Sequence, residues 1–297
     1  MTQLILRLNR TKDIFFCLLF FNGAALARDE LPKKEIRIGI GAMISPKEAF
    51  SYYIDLVDYI GEKLGLSPVV VQRKQYAELD KLLEDRQVDT AFVCAGPYVT
   101  DHNKFGLEIL AVPQVSGQPL YYAYIVVHKN SPIKNFAQLR QKAFAFTDPN
   151  SNTGKLVPTY MLAKINETPE SYFKSFIYTF SHDNSIKAVA EGTADGASID
   201  SLIYDYIKAR SPSSYIAETK IIEKSEGYGI PPFVCHPGLE PTLKAKIKEI
   251  LLNMHRDDRG KNILSGIMIE RFVEVEDSLY NSVRKMQEWV ERSRPEK

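Results

Sequence analysis

From Glu35 onward the chain alternates strand patterns with helix patterns, and it does so twice in the same order. Apolar residues at every second position mark a half-buried strand, whereas recurrence every three or four marks one face of a helix. Ile36, Ile38 and Ile40 alternate in the first way. Ser45, Pro46 and Glu48 then supply a cap, a first-position proline and a capping-box carboxylate, and Phe50, Ile54, Val57, Ile60 and Leu64 form one apolar stripe. Strand Val69–Val71, helix Tyr76–Leu83 and strand Val88–Cys94 complete a β-α-β-α-β unit. After the apolar run Tyr121–His128 a second unit follows: strand Ala143–Thr147, helix Thr153–Ile165, strand Phe176–Tyr178, helix Asn184–Glu191 and strand Ala194–Ser198. Val88-Asp89-Thr90-Ala91 and Ala194-Asp195-Gly196-Ala197 even repeat an aspartate before the third strand, where a turn residue is common.

Such alternation predicts an α/β protein with mostly parallel sheets flanked by helices. Beyond Ile221, a strand at Phe233–Cys235 and helices from about Glu240, Lys261 and Ser278 have no third unit to join and are expected to return to the first lobe. The expected organisation is lobe 1 from residues 28–125, lobe 2 from 126–222, and lobe 1 again from 223–297, with crossings near 120–130 and 218–230. Two short crossings permit hinge closure around a ligand.

Residues 1–27 read as an address: Arg7, Arg10 and Lys12, the apolar run Ile14–Phe21, then Ala25-Leu26-Ala27 as a small-residue cleavage site. A retained anchor needs about 20 apolar residues, and here Asn22 and Gly23 interrupt the run. Cys17 lies inside that run behind Phe16, unlike a lipid-attachment cysteine. The expectation is a removed signal peptide and a protein free in the periplasm. Removal takes three of 38 basic and one of 37 acidic residues, leaving 35 against 36. No basic face for nucleic acid or anionic lipid follows from this balance, so anion affinity has to come from local geometry. Cys94 and Cys235 survive cleavage, and an oxidising compartment allows either a disulfide or two buried thiols.

In open α/β sheets ligands bind at the carboxyl ends of strands, where helices begin. In the second unit that place is Asp148-Pro149-Asn150-Ser151-Asn152-Thr153-Gly154, dense in turn formers and in hydroxyl and amide side chains. Free N–H groups and the positive end of a helix dipole make such a start an anion cradle, although an ordinary N-cap turn has similar composition. The matching place in the first unit is Met43-Ile44-Ser45. Tyr98, Tyr121, His182, Asp200 and Ser201 also fall at strand ends or helix starts. Each is commonly structural in isolation; together they mark the expected cleft. A desolvated Asp200 accepting a P–OH proton favours phosphorus oxyanions over sulfate, because a ligand without the donor leaves the carboxylate unpaired.

These residues resemble the phosphate/phosphite/phosphonate-binding proteins of ABC transporters, which have the type II periplasmic binding protein fold. The resemblance spans about Glu35 to Trp289 and rests on Phe146-Thr147-Asp148-Pro149-Asn150-Ser151-Asn152-Thr153-Gly154 with Pro158, similar to the signature D-P-x-S-x-[ST]-G…P. Ser181-His182-Asp183, the run Ala194 to Ser201, and Phe272, Asp277 and Tyr280 support it. It implies an oxyanion held by Ser151, Asn152 and Thr153, with Tyr76 and Tyr121, a histidine at His182 and an acidic residue at Asp200. Pro231 and Pro232 stand where aminophosphonate-binding members place a carboxylate, so a small compact ligand is expected. The implied function is capture of phosphate, phosphite or alkylphosphonate by a monomer, without cofactor, for an inner-membrane permease. The alternative is a sensor presenting the same oxyanion to a membrane signalling protein. No nucleophile elbow or zinc spacing signals an enzyme.

Overall fold

The computed structural model describes residues 34–44 and 46–293, with side chains described outside 46–52. The expected signal segment and the candidate residue Ser45 lie outside the described residues. Strand β1 (Glu35–Ile40) is followed by α1 (Pro46–Leu64), β2 (Ser67–Gln72), α2 (Tyr76–Glu84), β3 (Thr90–Phe92), α3 (Ala95–Phe105) and β4 (Glu108–Gln114). Ile36, Ile38 and Ile40 are fully buried against Val57 and Ile60 of α1, as period-2 and period-3.6 patterns packed face to face require. Helix α3 is not among the helices that the sequence pattern predicts.

The chain then runs through β5 (Leu120–Tyr121), β6 (Ala123–His128), β7 (Ala143–Phe146), α4 (Val157–Ala163), α5 (Pro169–Tyr172), β8 (Ser175–Tyr178), α6 (His182–Ala190), β9 (Gly196–Asp200) and α7 (Ser201–Arg210). It finishes with β10 (Thr219–Lys224), β11 (Tyr228–Gly229), β12 (Phe233–Cys235), α8 (Pro241–Asn253), α9 (Asp258–Gly266), β13 (Arg271–Val273) and α10 (Asn281–Arg292). One sheet has the order β13-β4-β12-β3-β1-β2 and the other β10-β6-β9-β7-β8, while β5 and β11 form a separate two-stranded ribbon.

Each sheet has a parallel three-stranded heart, β2-β1-β3 and β8-β7-β9. Antiparallel strands extend both: β12, β4 and β13 in the first, β6 and β10 in the second. The parallel expectation therefore holds for the hearts, and the full sheets are mixed. The repeated aspartate has the same structural role in both hearts. Asp89 Oδ2 accepts the Arg37 N–H at 2.7 Å and Asp195 Oδ2 accepts the Ala143 N–H at 2.8 Å, each carboxylate capping the neighbouring strand. The third strand of each heart begins just after its aspartate, at Thr90 and at Gly196 rather than at Val88 and Ala194.

The second sheet packs on an aromatic cluster in which Phe144 stacks on Phe173 at 4.4 Å and Phe136 on Tyr172 at 5.7 Å. Cys94 and Cys235 are both buried free thiols. No helix among the described residues is long and apolar enough to cross a membrane.

Candidate functional site

The segments beyond the carboxyl ends of β1, β2, β7 and β8 are joined by hydrogen bonds that run between the two sheets. His182 N–H, at the start of α6, donates to the Met43 carbonyl beyond β1 at 3.0 Å. Asp148 Oδ2, beyond β7, accepts the first N–H of α2, from Tyr76, at 3.2 Å. Asn152 Nδ2 donates to Tyr121 Oη at 2.9 Å. Gly96 opens α3 so close to the β7 loop that a Cβ there would stand 2.5 Å from the Asn150 carbonyl oxygen, which only glycine permits.

The expected helix from Thr153 begins instead with a π-helical turn, Asn152–Leu156, before α4. Ser151 Oγ accepts the Gly154 N–H at 3.0 Å, and the Val157 N–H reaches back five residues to the Asn152 carbonyl. Pro158 has no N–H to offer the Gly154 carbonyl, which accepts the Thr147 N–H at 3.3 Å. Gly154 itself is packed so tightly on Thr147 that a Cβ would meet Oγ1 at 2.4 Å. The sequence therefore builds a widened first turn pressed onto the end of its own strand, a geometry often found at functional sites.

Around this turn lies a set of polar atoms that nothing in the protein satisfies. Eight buried side-chain N or O atoms among the described residues have no hydrogen-bond partner, and five of them belong here: Tyr76 Oη, Asn152 Oδ1, Thr153 Oγ1, Ser181 Oγ and His182 Nε2. A buried unsatisfied polar group costs about 1–3 kcal/mol, so such groups are rare unless a ligand meets them. Ser181 precedes α6 as its cap residue, yet its side chain makes no capping bond.

The protonation of the set follows from the surrounding contacts. His182 Nδ1 accepts the Asp200 N–H at 3.1 Å and lies 3.0 Å from Thr147 Oγ1, so the ring proton is on Nε2, the orphaned atom. Burial holds the imidazole neutral by pushing its pKa down to about 3. Desolvation also drives the Tyr76 and Tyr121 hydroxyls well above their ordinary range and the Cys94 thiol up to about 11, keeping all three protonated. Asp200 is pushed up to about 7 by burial, partly offset by the N–H groups of α7, of which Leu202 donates to Oδ1 at 2.7 Å. The arrangement offers neutral donors at Tyr76, Thr153, Ser181 and His182, an acceptor at Asn152 Oδ1, and a carboxyl that holds or takes a proton near neutral pH. No lysine or arginine side chain is buried among the residues whose side chains are described. Charge complementarity comes from the starts of α2, α3, α6 and α7 and from the π-helical turn.

Of the residues singled out from sequence, Tyr76, Tyr121, Ser151, Asn152, Thr153, His182 and Asp200 are brought together. Two are engaged elsewhere. Tyr98 Oη donates to Asp277 Oδ1 at 2.6 Å, and its ring packs on Tyr280 at 4.6 Å, so its hydroxyl serves the C-terminal segment. Ser201 Oγ accepts the Tyr122 N–H at 3.0 Å and its own N–H donates to the Tyr122 carbonyl, tying α7 to the crossing strand. Ser181, Thr147 and the Cys94 thiol, 3.9 Å from Tyr121 Oη, are absent from the site residues expected from sequence. Ser181 and Thr147 stand inside the motifs that carry the resemblance, and the further signal is position at the ends of β8, β7 and β3.

Comparison with known proteins gives a consistent relationship. The family model for the ABC transporter phosphonate periplasmic substrate-binding protein matches residues 38–280. The chain is 26% identical over 246 residues to the phosphonates-binding periplasmic protein of Escherichia coli K12, covering 81% of this chain and 72% of that protein. A binding-protein component of an ABC phosphonate transporter from Pseudomonas aeruginosa superimposes with a TM-score of 0.81 at 23% identity, covering 88% of each chain. A Prochlorococcus marinus protein solved in complex with methylphosphonate gives 0.78 at 17% identity, covering 87% of this chain and 99% of that one. The two-lobed type II periplasmic-binding fold expected from sequence is the fold these structures share.

Proposed function

This chain belongs to the phosphonate periplasmic substrate-binding proteins of ABC transporters, and we propose that its two sheets close on the tetrahedral head of a phosphorus oxyanion at the start of the π-helical turn. In this reading each lobe is the part of the chain built on one sheet, with β6 (Ala123–His128) and β10 (Thr219–Lys224) on the side of the second sheet. The observation that carries this reading is that Tyr76 Oη, Asn152 Oδ1, Thr153 Oγ1, Ser181 Oγ and His182 Nε2, at the starts of α2, the π-helical turn and α6, are all buried and unsatisfied. Four donors match the anionic oxygens of a phosphonate, phosphite or phosphate. Asn152 Oδ1 and Asp200 match its P–OH, which sulfate lacks at neutral pH. Hydrogen bonds to charged groups contribute about 1.5–3 kcal/mol each, so four to five suffice for the roughly −8 kcal/mol of micromolar affinity without a single cation.

The protein acts as a monomer that is exported with loss of residues 1–27 and delivers its cargo to a membrane permease. The family relationship supports transport over signalling. It also supports binding without turnover, because the family is one of substrate-binding proteins.

Thermal-shift screening against phosphate, phosphite, methylphosphonate, aminoethylphosphonate and sulfate tests the reading, since a ligand of the folded state raises Tm. A phosphorus oxyanion is expected to stabilise the protein and sulfate is not. Ser151→Ala with Thr153→Ala is expected to weaken binding at least tenfold with the fold intact. Unchanged affinity by calorimetry would remove the turn from the site, and turnover of phosphate esters would overturn the non-enzymatic reading.

A further inference from the structure

Beside the oxyanion clamp lies a cavity of about 130 Å³ that the oxyanion itself does not need. It abuts the clamp through Met43, whose carbonyl accepts the His182 N–H, and through Asp200, whose N–H donates to His182 Nδ1. Its walls are mostly apolar: Tyr53 of α1, Phe92 of β3, Ile203 of α7, and Pro231 and Ile269 from connecting segments. It runs from buried Asp200, 1% exposed, to a rim that includes Met268, 38% exposed. Ser116 and Met268 on the lining hold left-handed backbone, φ 52° and 58°, an unfavourable conformation for non-glycine residues that clusters at ligand clamps.

Resting on the function proposed above, we infer that the cargo is a phosphonate carrying an apolar organic substituent of about four to six carbons, the substituent filling this cavity while the head occupies the clamp. The volume decides the size, since a dry apolar cavity of roughly 150 Å³ holds a benzene molecule. The lining decides the chemistry. Two carboxylates reach the cavity, and both already accept hydrogen bonds: Asp200 from the Leu202 N–H, and exposed Asp205 from Tyr124 Oη at 3.1 Å. Pro231 and Ile269 add no further charge. The ligand proposed is larger than the compact one expected from Pro231 and Pro232 in sequence, with Pro231 as part of the cavity wall.

Calorimetry on the purified protein with phosphite, methylphosphonate, butylphosphonate, phenylphosphonate and 2-aminoethylphosphonate tests this. Each buried methylene is expected to strengthen binding about fourfold, the equivalent of about 0.8 kcal/mol. Butylphosphonate should therefore bind at least tenfold tighter than methylphosphonate. Ile269→Phe, which fills the cavity away from the clamp, should cut that preference below threefold and leave methylphosphonate affinity within a factor of two. Should this variant misfold, the wild-type ratio alone decides. Methylphosphonate or 2-aminoethylphosphonate binding as tightly as butylphosphonate would overturn the inference while leaving the oxyanion site standing. Failure of every compound, phosphite included, would overturn the site and the inference together.

Discussion

Replacing Thr153 by valine separates a ligand-binding hydroxyl from a structural one, because the two roles predict opposite signs in the free protein. Thr153 is fully buried and its Oγ1 has no hydrogen-bond partner. Its backbone carbonyl, by contrast, accepts the Ser198 hydroxyl at 2.5 Å, a bond that valine retains. Valine keeps the β-branched shape and deletes only the unsatisfied hydroxyl, whose burial costs about 1–3 kcal/mol. The unliganded variant should therefore be more stable than wild type, with Tm raised by about 2–4 °C per kcal/mol recovered. Binding moves the other way. Loss of one hydrogen bond to a charged ligand costs about 1.5–3 kcal/mol, which is roughly tenfold to 150-fold in Kd. Differential scanning calorimetry without ligand and titration with the tightest phosphonate measure the two effects on one sample. A lower unliganded Tm together with a Kd within twofold of wild type would refute the assignment of Thr153, and with it the reasoning from unsatisfied atoms.

Three further outcomes follow from the same geometry. Asp200 titrates near 7 when folded against about 3.9 unfolded, so the folded state retains its proton across that window and stability falls as pH rises through it, by at most about 4 kcal/mol. Asp200→Asn should flatten this slope and exceed wild type in unliganded stability at pH 8, measured by urea denaturation; an unchanged slope would show that Asp200 ionises freely. His182, held near 3 against an ordinary 6.5, binds its proton only in the unfolded state between those values, so its contribution is lost as pH falls; His182→Gln should reduce the acid-side loss between pH 6.5 and 4 and weaken oxyanion binding at neutral pH, and an identical acid limb would argue against a buried neutral imidazole. Gly96→Ala places a Cβ 2.5 Å from the Asn150 carbonyl and should weaken binding at least tenfold by holding the sheets apart, with circular dichroism unchanged; wild-type affinity would mean that the contact is not part of the liganded state.

What the sequence by itself determined is what short-range chemistry encodes. Alternating isoleucines, the apolar stripe of α1 and the twin aspartates at 89 and 195 define two β-α-β-α-β hearts. The polar stretch from Asp148 to Gly154 announces a helix start fit for an anion, since caps, turns and period all act within a few residues. Helix α3 escaped because Ala95-Gly96-Pro97 opens it without a polar cap, and the widened turn at Asn152 escaped because its cause, Pro158, acts through a carbonyl taken by Thr147. Only the tertiary structure decided which candidates meet. Tyr98 and Ser201 sit at strand ends like the others, yet Asp277 and Tyr122, both distant in sequence, claim their hydroxyls. The tautomer of His182 is set by an amide 18 residues away, and the cavity beside the clamp exists only where residues from both sheets leave space between them. Burial and hydrogen-bond satisfaction are properties of neighbours in space, and a linear pattern carries no record of which distant groups will be brought alongside.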